Sequence, residues 1–214
     1  MHHYKDQALA VKSVNRIRRF YPDENLYLIS DGDEPLIDEL ASVKATFIAG
    51  ERLKLLEYGG AYIKRYLQVG WNDGAELICV LDPDTAIFRR FNFKGMEKAE
   101  WFGTVLYKRT QPWFCLGGLS FFRRETIKKI LDSGLLDDPK YTSGEPFYYK
   151  RYSDFRLRWE QRDEEKVLCR DEVMADLMDR LSIKPSNFPD VLITFRSRVD
   201  NTFRQYSAIH PYYD

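Results

Sequence analysis

Five largely apolar residues, Leu77 to Leu81, run straight into Asp82-Pro83-Asp84 within the stretch ELICVLDPDTAIFRRF. A run of that length, closed by acids and a proline, reads as a buried strand that ends abruptly. Pro83 has no N–H to give to a ladder, so the acids belong at the strand's end. Residues two apart on a strand point the same way, so Asp82 and Asp84 would aim together. Two carboxylates ~4 Å apart at an effective dielectric of ~20 repel by ~4 kcal/mol unless a cation or a shared proton offsets them. In open α/β sheets the carboxyl end of a strand faces the ligand crevice. The spacing therefore points to a divalent metal; a turn in which both acids cap backbone amides is the plainer alternative.

The rest of the chain alternates helical and strand-like patterns. Ala8, Val11, Val14, Ile17 and Phe20 recur at helical spacing from about Asp6 to Phe20, and NLYLIS reads as a short buried strand ending at Asp31. Residues 36–46 suggest a second helix. YGGAYIKRYLQVGWNDG reads as a glycine-led helix stopped by Asn72-Asp73-Gly74, followed by the strand that carries the aspartates. WFGTVLY and GGLSFFR look like strands, and RETIKKILDSGLL and RDEVMADLMDRLSI like helices. Residues 141–152, with Tyr141, Tyr148, Tyr149, Tyr152 and Phe147, read as a polar and aromatic excursion or flap. The tail holds a strand at VLIT and then an irregular end. With no repeat and no linker, the expectation is one domain over 1–214, an α/β fold with a mostly parallel central sheet flanked by helices.

Composition narrows the function. Thirty-three basic and 33 acidic residues cancel, which argues against a nucleic-acid or membrane-surface binder. No apolar run reaches the length of a membrane span. Cys79, Cys115 and Cys169 have no CxxC spacing, which suits reduced thiols in a cytoplasmic protein and offers no zinc site. ICVLDPDT also resembles the opening of haloacid-dehalogenase-type phosphatases, where the first aspartate is the nucleophile and the second a general acid. That motif sits on the first strand of its fold, whereas here a helix and another strand precede it, and its later acidic motif is not evident at Asp137-Asp138.

Taken in order, SVNRIRRFYPDENLYLISDGDE, GGAYIKRYLQVGWNDGAELICVLDPDTAIF, FCLGGLSFFRRE, RDEVMADLM and AIHPYYD resemble the segments of a GT-A-fold nucleotide-sugar glycosyltransferase of the DxD type. In size and in its bare cytosolic character the chain is also similar to glycosyltransferase domains of chlorella-virus proteins that glycosylate capsids. The family begins with a strand ahead of its first helix; here only MHHYK precedes the helix, so that strand is expected to be absent or cut short.

The resemblance implies a Rossmann-like GT-A domain, alone or as one part of a larger polypeptide, moving a hexose from a UDP-sugar such as UDP-glucose to a glycan or glycoprotein hydroxyl. Asp82, Asp84 and His210 would hold Mn²⁺, or Mg²⁺ as second choice, with Asp84 the more direct ligand. Asp82 would bind through water or hold the ribose. Asp31 is similar to the acid that hydrogen-bonds a uracil ring; an Asx turn before Gly32 explains it equally. Arg65 reaches toward a phosphate or the sugar, or lies on a solvated helix face. Gly117 and Gly118 would let the donor sugar approach the backbone, or form a bulge. Trp113 and Phe114 would stack on an acceptor ring or belong to the core. Asp171 and Glu172 are the candidate catalytic carboxylates, with helix capping as their other explanation. Arg196, Arg198 and Arg204 are spare cations for the β-phosphate. A catalytically silent sugar-nucleotide-binding domain is the rival of a different class.

Overall fold

The computed structural model describes residues 1–3, 7–32, 42–53, 59–108, 111–142, 170–194 and 207–211. Strand β1 (His2–His3) is followed by helix α1 (Gln7–Phe20), β2 (Tyr27–Ser30), β3 (Thr46–Ile48), α2 (Gly59–Asp73), β4 (Leu77–Leu81) and β5 (Ala86–Ile87). Then come β6 (Trp101–Lys108), β7 (Gln111–Arg123), α3 (Arg124–Asp132), a 3₁₀ turn (Leu135–Asp137), α4 (Pro139–Thr142), α5 (Arg170–Arg180), β8 (Pro185–Asn187), β9 (Val191–Thr194) and β10 (Ala208–Pro211).

Among the described residues three sheets form, in the orders β1-β2-β3, β4-β7-β6-β8 and β5-β10-β9. The first is wholly parallel. The second is mixed rather than parallel: β7 runs antiparallel to both β4 and β6, because β6 and β7 are consecutive and turn back on each other, while β8 lies parallel to β6. The α/β reading holds, with parallel pairing confined to part of the structure.

Alternation along the central strands explains why β4 reads as a continuous apolar run. Val80, Trp101, Val105, Cys115 and Phe122 face a core completed by α2, α3 and α5. Leu81, Phe102, Leu119 and Phe121 face the opposite core, against Ala10, Val14 and Ile17 of α1. A sheet covered on both faces has no polar side to show. In the second core Phe102 stacks on Phe121 at 5.1 Å, and Phe188 meets both edge-on.

Helix α2 buries Gly59, Gly60, Tyr62, Ile63, Tyr66, Leu67 and Gly70, one stripe at helical spacing. It stops at Gly74, whose φ of +84° suits a residue without Cβ. Asp73 in its last turn accepts bonds from Tyr27 Oη and Asn25 Nδ2, both at 2.7 Å, which pins the helix end to the start of β2.

Three expectations change. Thr46, placed at the end of a helix over 36–46, instead opens β3: the β-prone Thr-Phe-Ile pairs with β2, and Thr46 N–H donates to Leu26 O at 2.8 Å. The earlier part of that helix, 33–41, lies outside the described residues. Tyr141 is no flap residue; it is fully buried at the end of α4, its hydroxyl on the buried Asp176 carboxylate, which Lys140 Nζ also reaches at 2.8 Å. Residues 143–152 of the expected flap lie outside the described residues. Within the stretch expected to be irregular, Ala208–Pro211 form a strand, β10.

Candidate active site

The turn after β4 is bolted down by its backbone. Thr85 N–H donates to Asp82 O at 3.0 Å, closing the turn, and Asp82 N–H donates to Gly118 O at 3.0 Å, extending the ladder to β7. Thr85 Oγ1 reaches the same Gly118 carbonyl at 3.1 Å, and Ser13 Oγ of α1 reaches Thr85 O at 3.4 Å. Asp82 and Asp84 are half-buried, and Asp84 Oδ1 is fully so. Gly118 thus presents its carbonyl to the turn.

The chain returns to this turn more than a hundred residues later. Strand β5, just past the turn, pairs antiparallel with β10: Ala208 faces Ile87 and Ile209 faces Ala86. His210 is the next residue, on the side of Asp84 and Thr85, and pairs with Ile193 of β9. Its side chain lies outside the described set. Among the described residues no three His, Cys, Asp or Glu side chains cluster as a metal group. The residue types on the turn and on the strand beside it, two aspartates and a histidine, are of the oxygen and nitrogen kind that suits Mn²⁺ or Mg²⁺.

Asp190 holds this return in place, and nothing near it in sequence announces the role. It accepts from Ser207 Oγ at 2.5 Å, Asn92 N–H at 2.7 Å and Arg89 Nη2 at 2.9 Å, while its own carbonyl takes Ser207 N–H at 2.8 Å. Ser207 Oγ also contacts Arg90 O at 3.0 Å, and Phe88 N–H donates to Ser207 O at 2.8 Å. Its partners lie up to 101 residues away, so no local pattern could reveal it. Asp190→Ala is expected to cost about 2 kcal/mol, because three donors lose a largely buried acceptor. Calorimetric melting should read this as a fall of roughly 4–8 °C.

Asp31 and Arg65, predicted separately as donor-binding residues, come together. Asp31 is 6% exposed and its Oδ1 accepts Leu53 N–H at 2.6 Å, with Arg65 Nη1 at 3.7 Å. Arg65 also donates to Ser30 O at 3.2 Å and Glu51 O at 2.7 Å. Its guanidinium lies flat on Gly50, where a Cβ would sit 2.9 Å from Cζ. The pair therefore ties α2 to the segment between β3 and α2, at the C-terminal end of β2.

Asp171 stands in the first turn of α5, half-buried, close enough to Cys115 of β7 for its charge to act on that thiol. It thus approaches the strand that carries Gly117 and Gly118. Glu172 shares that first turn, and its side chain lies outside the described residues, as do those of Trp113 and Phe114 on β7. Arg196, Arg198 and Arg204 lie outside them entirely.

Burial disfavours the reactive thiolate at both described cysteines. Burial pushes Cys115 well above the usual thiol range, with Asp171 adding to the shift, and burial pushes Cys79 up to about 12. At pH 8 a thiol of that kind is ionised to the extent of ~10⁻⁴. In a Cys169→Ser background, iodoacetamide at pH 8 should leave the native protein unmodified and label both thiols in denaturant, as read by intact mass.

No protein-family model matches the sequence, and no curated protein matches it. Among solved structures the chain is similar to the galactosyltransferase LgtC in complex with donor and acceptor sugar analogues, at 8% identity and a TM-score of 0.50, covering 98% of this chain and 85% of that one. An active-site mutant of LgtC aligns with a TM-score of 0.51 at 8% identity over the same shares. A glycosyltransferase involved in glycosylation of the major capsid of PBCV-1 aligns at 11% identity over 98% of this chain and 89% of that one, with a TM-score of 0.47. The chain has the GT-A glycosyltransferase fold.

Proposed function

We propose that this protein is a metal-dependent glycosyltransferase that moves a hexose from a nucleotide-diphosphate sugar, with UDP-glucose the favoured donor, to a hydroxyl of a glycan or glycoprotein. The observation that carries this reading is the pairing of β5 with β10, which brings the His210 backbone alongside the Asp82-Pro83-Asp84 turn. The fold is the one on which such chemistry is built, although fold alone does not establish activity.

Asp84, Asp82 and His210 would hold Mn²⁺, or Mg²⁺ in second place, and the ion would supply Lewis-acid neutralisation of the leaving nucleoside diphosphate. The residues themselves do the rest. The Gly118 anchor keeps the turn rigid. Gly117 and Gly118 admit the sugar against the backbone, and the end of β2 beside Asp31 and Arg65 receives the nucleotide. Sugar–oxygen cleavage leaves an oxocarbenium-like ring that needs a nearby carboxylate. Asp171 or Glu172 meets that need, taking the acceptor hydroxyl proton in an inverting course or standing beneath the sugar in a retaining one. The anomeric configuration of the product, read by NMR, distinguishes the two. Trp113 and Phe114 would offer a ring face to the acceptor. The reading places the protein in the cytoplasm, the host cytoplasm if the chain is viral.

Two measurements test the reading. UDP and UDP-glucose titrated calorimetrically with Mn²⁺ should bind, and with EDTA should not. Slow Mn²⁺-dependent hydrolysis of UDP-glucose would separate an enzyme from a silent binding domain. Absence of binding by UDP, GDP and dTDP alike would end the transferase reading, and phosphate release from simple phosphomonoesters would favour the phosphatase. No helix among the described residues is long and apolar enough to cross a membrane.

A further inference from the structure

Strand β10 is the middle strand of its sheet, between β5 and β9. Its neighbours are too short to fix where it lies: β5 has two residues and β9 four. A slip of one residue exchanges the two faces of a strand. The register of β10 therefore decides which of its residues is presented to the Asp82–Thr85 turn. That register sets Ala208 opposite Ile87 and Ile209 opposite Ala86. Continued one step, it brings the His210 backbone opposite Thr85.

Polar contacts at the head of β10 supply what so short a pattern lacks. Ser207 is fully buried, and its backbone is held from both sides. Its N–H donates to Asp190 O at 2.8 Å beside β9, and its carbonyl accepts Phe88 N–H at 2.8 Å beside β5. Its hydroxyl accepts from Arg89 Nε at 3.0 Å and donates to Asp190 Oδ2 at 2.5 Å. Arg90 O, at 3.0 Å, competes for the same single proton. Asp190 stands immediately before β9 with its side chain 11% exposed, and Arg89 Nη2 and Asn92 N–H grip it from the β5 side. One carboxylate thus fastens three strands at one level. A slip in one direction would bring Ala208 to Asp190 and leave a largely buried acceptor without its hydroxyl donor. A slip in the other would bring Tyr206, whose ring needs space that the buried Ser207 does not leave.

Resting on the transferase reading with His210 as a metal ligand, we infer that Asp190 and Ser207 are positioning residues of the metal site. Together they lock β10 in the one register that carries His210 to the Asp82-Pro83-Asp84 turn. Neither is a ligand. Removing either leaves every metal donor in the chain and loosens where one of them is held, an effect of the kind exerted by the partners that orient metal ligands.

The test is a double-mutant cycle on the full chain, with the Mn²⁺ dissociation constant read by electron paramagnetic resonance at saturating UDP, well below the melting temperature. Asp190→Asn and Ser207→Ala should each weaken Mn²⁺ binding by about tenfold or more. His210→Ala should weaken it at least as much. Adding Asp190→Asn to His210→Ala should cost no more than about twofold further, because the lock then has nothing left to position. Should Asp190→Asn fail to fold, Ser207→Ala carries the same cycle. In the metal-free protein, amide exchange over residues 208–210 should quicken by about tenfold in both lock variants, while α2 and β4 exchange as in the wild type. Tyr141→Phe, which removes a buried hydroxyl far along the chain, should leave the Mn²⁺ constant unchanged. Additive losses in the cycle would overturn the inference, since Asp190 would then reach the site by another route. So would unaltered Mn²⁺ binding in both lock variants, or in His210→Ala. A wild-type protein that binds no UDP with Mn²⁺ would instead end the transferase reading, and the role of the lock with it.

Discussion

Asp84→Ala is expected to weaken Mn²⁺-dependent UDP binding by at least about 100-fold, equivalent to about 2.7 kcal/mol. The side chain is half-buried, with Oδ1 fully so, in a turn closed and anchored by backbone hydrogen bonds. Thr85 N–H still closes on Asp82 O, and Asp82 N–H still meets Gly118 O. The loss would therefore be that of a ligand and not of the local fold, and the melting temperature should move by no more than a few degrees. Asp84→Asn sharpens the result: it preserves shape and one acceptor but removes the charge that draws a divalent ion. Both variants should bind UDP with Mn²⁺ as poorly as the wild type does with EDTA. Undiminished binding in either variant would remove Asp84 from the metal site.

Gly60→Val is expected to be the most destabilising single change, costing about 3 kcal/mol or more. A Cβ at Gly60 would meet Leu136 O at 2.6 Å and Tyr141 Cβ at 2.8 Å. Neither can swing aside, one being backbone and the other the root of a fully buried side chain. Helix α2 would have to lift away from the Leu135–Asp137 turn and α4, taking Tyr62 and Ile63 with it. Gly70→Ala, farther along the same helix, is the control. It meets only the side-chain carbons of Ile78, at 3.0 Å or more, and recovers about 1 kcal/mol of helix propensity. The first variant should melt roughly 6–12 °C lower and the second within a few degrees of wild type. Equal shifts would mean that the close approach at Gly60 is not the cause.

The parts of the fold legible in the sequence are those whose partners are local or whose pattern is long. Helix α2 shows an apolar stripe along its whole length, and β4 shows an apolar run closed by a proline. The turn at Asp82 to Thr85 follows from that proline. Anything fixed by distant pairing is less visible. β5 and β8 have two and three residues, too few to carry a period, and exist through β10 and β6. Asp190 reads as an ordinary turn residue after Pro189 until Arg89 and Ser207 are brought to it. Asp31 and Arg65 each stand out in the sequence, but their meeting beside Gly50 depends on α2 lying across the end of β2. Tyr141 looks polar among its neighbours because nothing nearby in sequence shows that Asp176 will receive its hydroxyl in the core.

The pairing of β5 with β10 also sets an order of events during synthesis. Ser207 joins Arg89 and Arg90 across 118 and 117 residues, a loop whose closure is among the costliest in the chain. While residues 207–211 are still inside the ribosome, β5 has no β10 to pair with and Asp190 lacks its closest donor. A nascent chain can therefore build most of its two hydrophobic layers before the Asp82–Thr85 turn gains its neighbour. The proposed site would be completed in one late step, when β10 slides in beside the turn.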